Sequence, residues 1–245
     1  MSRVKLTIEY DGTNFSGYQC QPGKRTIQAE LEKALESVYN QKINTFASGR
    51  TDAGVHALNA VVHYDEPKVL KNKQIADSLN AYLPEDVKVV HHEIVDDNFD
   101  ARFNSKVKTY GYRFYLSRCE RPLMKNRALR VNEEIDVDKM QEACKYLIGE
   151  HDFTSFVARK SGKTNFVRTI YSAKIVKTGE KEYEFIVSGN GFLYNMVRII
   201  MGTLIFVGLN KLKPWDMKNI IEAKSRARAG KTVQAYGLYL LNVEY

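Results

Sequence analysis

SGRTDAGVH occupies residues 48–56, between two predicted strands at residues 43–46 and 58–64. Gly49 and Gly54 bracket Arg50 and Asp52 there, and glycine permits tight turns and the close approach of a ligand. The Asp52 carboxylate can therefore act as a nucleophile, as a base, or as a turn residue that bonds its own backbone. The segment lacks the repeated Asp-Thr/Ser-Gly motif of aspartic proteases and the Gly-Lys-Thr/Ser ending of phosphate-binding loops.

Strands and helices alternate on both sides of this segment. Thr26, Asn72 and Asp136 are placed to cap three helices whose apolar residues recur at helical spacing. Further strands are predicted at residues 4–10, 87–95, 108–116, 170–175, 183–187 and 238–243. Because helices are mixed with hairpin-linked strands, we predict an α+β (mixed α/β) fold with an antiparallel or mixed sheet. We expect two closely packed lobes, residues 1–104 and 105–245.

The positive charge of the chain is concentrated in one stretch. Lys and Arg number 37 and Asp and Glu 29, which gives a net charge of +8. Residues 102–130 hold nine basic residues and one acid, so this stretch equals the whole excess. Aromatic residues, Tyr110 among them, are interleaved with the basic ones, a pattern that suits phosphate contacts and base stacking. The alternative is a strand with a solvated basic face and a buried aromatic face. Two smaller basic clusters are Arg159, Lys160, Lys163 and Arg168, and Lys224, Arg226, Arg228 and Lys231.

Arg198 stands in the apolar run of residues 192–209. The run is about long enough to span a bilayer, but a charge inside a span is costly, so we predict a helix buried in protein. A buried guanidinium requires an anionic partner. Asp52 is one candidate, because an arginine contact would keep its carboxylate ionised. Another acid, or access to solvent through a groove, would serve Arg198 equally well.

Metal and nucleotide chemistry find little support in the sequence. No His, Cys, Asp or Glu spacing completes a metal site, and no GxGxxG or phosphate-binding loop occurs. The three cysteines, Cys20, Cys119 and Cys144, are far apart and odd in number, which favours a cytoplasmic protein. The alternating apolar residues of the N-terminus do not form a signal peptide.

Several short motifs, taken in order, resemble the tRNA pseudouridine synthase A family, and the resemblance runs essentially end to end. The most specific is GRTDAGVH at residues 49–56, which is similar to the family's catalytic loop. Supporting motifs are EYDG at 9–12, LNA at 79–81, FDARF at 99–103, KTYGY at 108–112, GEHDFTSF at 149–156, MVR at 196–198 and GLYL at 237–240. Together they are far more specific than any one of them.

The resemblance implies a pseudouridine synthase fold, in which two related, ferredoxin-like lobes share a central mixed or antiparallel sheet with flanking helices. The first lobe would carry the Asp52 loop, and the second would carry Tyr110 and a buried Arg198. The implied activity is the isomerisation of uridine to pseudouridine in the anticodon stem–loop of tRNA, with no metal and no small-molecule cofactor. The implied assembly is a homodimer whose subunits bind tRNA jointly, away from any membrane.

The resemblance also implies a role for each site residue. Asp52 would be the nucleophilic or catalytic aspartate that acts at the ribose C1′ of the target uridine. Tyr110 would stack on the flipped base and help to remove the C5 proton. Arg198 would pair with Asp52, and Arg50 would help to displace the base and contact the RNA.

Arg102 and Lys108, which stand in two of the family motifs, are expected to contact the RNA as well. Family members usually carry Trp and Arg where this chain has Tyr18 and Cys20. Tyr18 keeps an aromatic ring, whereas Cys20 loses a cation and so puts one RNA contact in doubt.

Two rival classes remain. A catalytically silent RNA-binding protein of this fold would keep the basic stretch but would have no need of Asp52 or Arg198. An RNA hydrolase or transferase would be expected to need a metal cluster or a second carboxylate near Asp52, and the motif shows neither.

Overall fold

The computed structural model describes residues 2–67, 74–158 and 165–245. The strands are β1 (Ser2–Tyr10), β2 (Phe46–Ala47), β3 (His56–Glu66), β4 (Val87–Val95), β5 (Val107–Leu116), β6 (Leu129–Val131), β7 (Gly149–Asp152), β8 (Val167–Gly179), β9 (Glu182–Gly189) and β10 (Leu238–Glu244). The α-helices are α1 (Ile27–Tyr39), α2 (Ile75–Asn80), α3 (Val137–Cys144), α4 (Met196–Gly208) and α5 (Asp216–Glu222). The predicted α+β fold class is confirmed. The predicted cap Asn72 and the basic residues Arg159, Lys160 and Lys163 lie outside the described residues.

The chain divides into two compact units. One is Met1–Lys106 with Tyr239–Tyr245, and the other is Val107–Leu238. The first boundary lies close to the predicted join at residue 104. The assignment of all of residues 105–245 to the second lobe is corrected at its end, because β10 pairs in parallel with β3 and so joins the first unit. Alternation along a strand identifies the strand but not its partner, which is why this pairing escaped the sequence.

The first unit is a sheet with the strand order β4-β1-β3-β10, and β2 also pairs with β3. β1 is antiparallel to both β3 and β4. Its alternate residues Val4, Leu6 and Ile8 are fully buried, as the predicted alternation requires. The Thr26 cap of α1 is confirmed, because its side chain accepts a hydrogen bond from the backbone N–H of Ala29 at 3.4 Å. The strand predicted at residues 43–46 is both shorter and shifted in the structure, where β2 is Phe46–Ala47 and shares only Phe46 with the prediction.

The second unit is a sheet with the order β5-β9-β8-β7, antiparallel throughout, with β6 parallel to β5. The predicted hairpin of residues 170–187 is present as β8 and β9. The Asp136 cap of α3 is also confirmed, because Oδ1 accepts from the backbone N–H of Lys139 at 3.0 Å. Thr26 and Asp136, the two predicted caps that the structure describes, therefore mark the starts of their helices correctly.

α4 is apolar on nearly all sides, and ten of its 13 residues are buried. None of the helices that the structure describes is long and apolar enough to cross a membrane. A following segment lies directly on the helix: a Cβ on Gly202 would stand 1.9 Å from the carbonyl oxygen of Lys231. Gly230 donates its N–H to Thr203 Oγ1 at 2.9 Å. These contacts hold residues 230–233 against the first half of α4, which bears Arg198.

Candidate active site

The Asp52 loop, residues 49–55, joins β2 to β3. Hydrogen bonds to Thr51 and within the loop hold it in place. The Tyr10 hydroxyl lies 2.8 Å from Thr51 Oγ1. The Tyr18 N–H donates to the Thr51 carbonyl at 3.0 Å, and the Val55 N–H donates to the Asp52 carbonyl at 3.2 Å. Asp52 itself is partly buried. The carboxylate therefore stands on a loop whose backbone has little freedom to move.

Two glycines of the preceding segment allow this loop to pack closely. A Cβ on Gly12 would lie 2.0 Å from the carbonyl oxygen of Val55. Gly17 has a φ of +98°, and a Cβ there would lie 2.9 Å from the carbonyl oxygen of Thr51. Only glycine fits a backbone approach of this kind, and a positive φ strains other residues. The EYDG motif and the Gly17-Tyr18 pair therefore form the support of the Asp52 loop.

His56 closes the loop at its far end, a role that the sequence did not reveal. Its Nδ1 accepts the N–H of Gly12 at 3.1 Å and also lies 3.1 Å from Asp11 Oδ1. Its ring stacks on Tyr239 with a centroid separation of 4.6 Å. His56 is buried, and these partners explain why an imidazole rather than an aliphatic side chain ends the motif.

The two departures from the family pattern take different positions. Tyr18 is buried and contacts the Asp52 loop through its backbone, so this aromatic residue belongs to the loop's support. Cys20 is exposed, and its N–H donates to Gln28 Oε1 at 3.1 Å. The substitution at Cys20 therefore affects the surface and leaves the loop intact.

Two predicted RNA contacts belong to the first unit. Arg50 is exposed on the Asp52 loop itself. Arg102 is exposed in a turn where its N–H donates to Asp100 Oδ1 at 2.7 Å, and its guanidinium lies 5.5 Å from the ring centre of Phe103. The structure thus places Arg50 beside Asp52 and Arg102 on a separate, aromatic turn of the same unit.

Tyr110 lies on β5 of the second unit and is partly buried. It pairs with Val187 on β9, and its ring meets the edge of Phe192 at a centroid distance of 5.1 Å and an angle of 78°. Lys108, two residues earlier on the same strand, pairs with Gly189 and is partly buried. The edge-to-face contact limits rotation of the tyrosine ring and leaves an aromatic surface at this end of the sheet.

Arg198 lies in the first turn of α4 and is partly buried, which is less than the apolar run alone suggests. Nε donates to the Val233 carbonyl at 2.8 Å and Nη1 donates to Asn195 Oδ1 at 2.7 Å. Asn195 has a left-handed φ of 60° at the helix start. The guanidinium is thus held on two sides.

Tyr112 is a further supporting residue that sequence reasoning missed. Its hydroxyl donates to the Gln234 carbonyl at 2.7 Å, next to the Val233 carbonyl that Arg198 uses. Burial raises the pKa of Tyr112, so the hydroxyl stays protonated and available as a donor. Among the residues that the structure describes, no group of three or more His, Cys, Asp or Glu side chains is placed to hold a metal ion.

Comparison with known proteins gives one consistent family. The family model described as tRNA pseudouridine synthase matches residues 6–104 and 143–245. The proteins named tRNA pseudouridine synthase A from Bacillus subtilis (strain 168) and Bacillus licheniformis are 46% and 47% identical, each over 99% of this chain and 99% of the relative. The protein of that name from Caldicellulosiruptor bescii is 42% identical over 100% of both chains.

A weaker likeness is found among solved structures. The crystal structure of the archaeal box H/ACA sRNP Nop10-Cbf5 complex contains a chain that is 12% identical, with a TM-score of 0.38. The match covers 83% of this chain and 43% of that one.

Proposed function

Because the chain belongs to the tRNA pseudouridine synthase family, we propose that it converts uridine to pseudouridine in the anticodon stem–loop of tRNA, with Asp52 as the catalytic group. The observation that carries the proposal is the match of the whole chain to this family, Asp52 loop included. The close packing of that loop on Gly12 and Gly17 supports it, since a catalytic carboxylate must be held in place.

The reaction is an isomerisation. Asp52 acts at the ribose C1′, the bond from C1′ to N1 of uracil breaks, and the base turns within the site. C5 of the base then bonds to C1′, the proton leaves C5, and N1 gains a proton. No atom is added or lost, so the chemistry requires no oxidant, reductant or group donor.

Arg198 is the proposed partner of the Asp52 carboxylate. A guanidinium nearby favours the charged form of a carboxylate, and only the charged form can attack C1′ or accept a proton. The bonds from Arg198 to Val233 and Asn195 support this role, because they fix the direction of the guanidinium. Arg198 thus acts as an oriented cation.

Tyr110 is proposed to hold the flipped base and to help remove its C5 proton. A base inside a stem is out of reach until it leaves the stack, and an aromatic surface then compensates for the lost stacking, at about 1–3 kcal/mol per base. The contact with Phe192 supports this role, because it restrains the ring before the base arrives.

The basic residues are proposed to bind the RNA around this chemistry. Arg50, exposed beside Asp52, displaces the target base from the stem. Arg102 and Lys108 contact phosphates, and phosphate contacts of this kind make binding depend on salt. We also propose that the enzyme works in the cytoplasm as a homodimer whose two subunits share one tRNA.

Tritium release tests the function. Uridine in tRNA is labelled with tritium at C5, and the purified protein is added without metal. The wild type is expected to release tritium, and Asp52→Ala is expected to release none. Asp97→Ala is a matched control, because it removes an exposed carboxylate of the same unit, and it should behave as wild type.

Other outcomes separate the rival functions. Wild-type protein that binds tRNA but releases no tritium from several tRNAs would indicate a silent RNA-binding protein. Cleaved RNA or free uracil would indicate a hydrolase. An Asp52→Ala variant with full activity would refute the role of Asp52.

A further inference from the structure

Arg168, at the start of β8, is a partly buried arginine with no carboxylate partner among the residues that the structure describes. Among the described residues, only its Nη1 makes hydrogen bonds, to the Val167 carbonyl at 2.5 Å and the Asn165 carbonyl at 3.5 Å. Within residues 2–67, 74–158 and 165–245, no Asp or Glu oxygen lies within 4.0 Å of it, and the remaining residues of the chain include no Asp or Glu. Burial lowers the pKa of Arg168, because removal of the guanidinium from water disfavours its charged form.

The unused side of this guanidinium has the geometry of an oxyanion site. In the described part of the chain, Nε and Nη2 of Arg168 have no hydrogen-bond partner. These two groups point in parallel and match the two oxygens of a phosphate. Gly191 lies beside them: a Cβ there would stand 3.8 Å from Nε, so the missing side chain leaves this edge uncovered.

Other arginines of the chain show what a structural role looks like. Arg226 is also partly buried, but both of its terminal nitrogens are used within its own loop, by the Ala229 carbonyl at 3.3 Å and Thr232 Oγ1 at 3.2 Å. Arg25 bonds Asp86 through two nitrogens and Glu30 through the third. Arg168 differs from both, because its Nε and Nη2 bond no atom of the described residues.

Arg168 is connected to the proposed base-stacking residue Tyr110 through residues 190–192. The segment after β9 is tied to β8 by two bonds between Thr169 and Asn190, each 3.0 Å long. Gly191, beside Arg168, directly precedes Phe192, and the Phe192 ring contacts Tyr110. Residues 190–192, which are hydrogen-bonded to β8 through Asn190, therefore separate Nε and Nη2 of Arg168 from the Tyr110 and Phe192 rings.

We propose that Arg168 binds a phosphate of the RNA next to the target uridine, through Nε and Nη2, and so positions the nucleotide whose base rests on Tyr110. The proposal rests on the proposed function and adds a residue to it. Arg168 acts on the backbone of the RNA and not on the reacting atoms, so it is a positioning residue.

The first test compares Arg168→Met and Arg168→Lys with the wild type. Loss of a charge-assisted, two-pronged bond is expected to raise KM for tRNA roughly tenfold or more in Arg168→Met, with a much smaller change in kcat. The slope of log affinity against log salt should fall in size by about 0.7–0.9, the value for one lost phosphate contact. Arg168→Lys keeps the charge, so it should restore the slope but only part of the affinity.

Lys218→Met is the matched control. Lys218 lies on α5 of the same unit and pairs with Glu222 at 3.8 Å, so its removal takes away one positive charge far along the chain from the proposed site. Its KM and salt slope should equal those of the wild type. A melting curve for each variant establishes that the protein compared is folded.

The second test identifies the phosphate. Anticodon stem–loop RNAs carry one uncharged methylphosphonate linkage, placed either 5′ or 3′ of the target uridine. One placement should weaken wild-type binding by the same factor as Arg168→Met, and the variant should be indifferent to that placement. The proposal is overturned if Arg168→Met leaves KM and the salt slope unchanged. It is also overturned if, at each methylphosphonate position, the variant and the wild type lose affinity by the same factor. Wild-type tritium release is measured alongside, so failure of this proposal is distinct from failure of the proposed function.

Discussion

Gly12→Ala is expected to lower kcat strongly, although Gly12 is not a catalytic residue. The added Cβ would lie 2.0 Å from the Val55 carbonyl oxygen and 2.6 Å from its carbon. Ordinary van der Waals contacts begin at 3.4 Å, so the Cβ and the oxygen must move apart by 3.4 − 2.0 = 1.4 Å. The Val55 atoms are backbone and the Cβ is fixed by the Gly12 backbone, so no side-chain rotation can relieve the overlap.

The displacement reaches the carboxylate through a short path. Val55 donates its N–H to the Asp52 carbonyl at 3.2 Å, so the two residues move together. A misplacement of about 1 Å costs roughly a hundredfold in rate. Overpacking adds a loss of about 1–3 kcal/mol in the free energy of unfolding. We therefore expect kcat to fall about a hundredfold in a protein that is destabilised but folded.

The assay is tritium release at saturating tRNA, at a temperature where circular dichroism shows both proteins folded. Gly23→Ala is the control: Gly23 has a φ of +67° but no heavy atom within 4 Å of the added Cβ. Its backbone strain lowers stability by about 1–2 kcal/mol, and kcat should stay at the wild-type value. A folded Gly12→Ala protein with a kcat within about twofold of wild type would refute the reasoning about loop position.

Three further predictions concern other parts of the chain. Arg198→Met should lose about a hundredfold or more in tritium release at saturating tRNA while its melting temperature stays close to wild type, and retained activity would contradict the pairing with Asp52. Burial raises the pKa of Cys144 to about 12, so iodoacetamide at pH 8 should label Cys144 only after unfolding, as peptide mass spectrometry can show. Burial, and after it the charge of Arg3, lowers the pKa of His63, so the folded state binds its proton less tightly than the unfolded state. Stability should therefore fall as pH drops below about 6.5, and denaturant titrations should show a smaller fall for His63→Gln.

Local features of the fold could be predicted from the sequence because local chemistry determines them. Thr26 and Asp136 cap their helices through bonds to residues three positions away. β4 has the predicted bounds, Val87–Val95, because its alternation and the flanking turns lie within the same short segment.

Long-range features could not be predicted from the sequence, because their partners lie far apart along the chain. His56 bonds Gly12 across 44 positions, and β10 finds β3 across most of the chain. No periodicity encodes such partners. For Arg198 the sequence left open whether the guanidinium is enclosed or reaches solvent, because apolar neighbours do not show that the residue lies in the first turn of α4.

Within the candidate site, Asp52 and Arg50 could be found from their unusual loop. Tyr112 and Arg168 could not, because a tyrosine and an arginine on strands are common, and only their partners distinguish them. Gly12 and Gly17 could be identified as parts of sequence motifs, but their supporting function depends on distances to the Val55 and Thr51 carbonyls.

The most direct measurement is a nucleoside balance. An anticodon stem–loop RNA with one target uridine is incubated with excess enzyme, digested to nucleosides, and quantified. We expect each uridine lost in wild type to appear as one pseudouridine, with the RNA chain intact, and Asp52→Asn to convert none. Pseudouridine formed by Asp52→Asn at the wild-type rate, or uridine lost by the wild type as free uracil, would contradict this expectation.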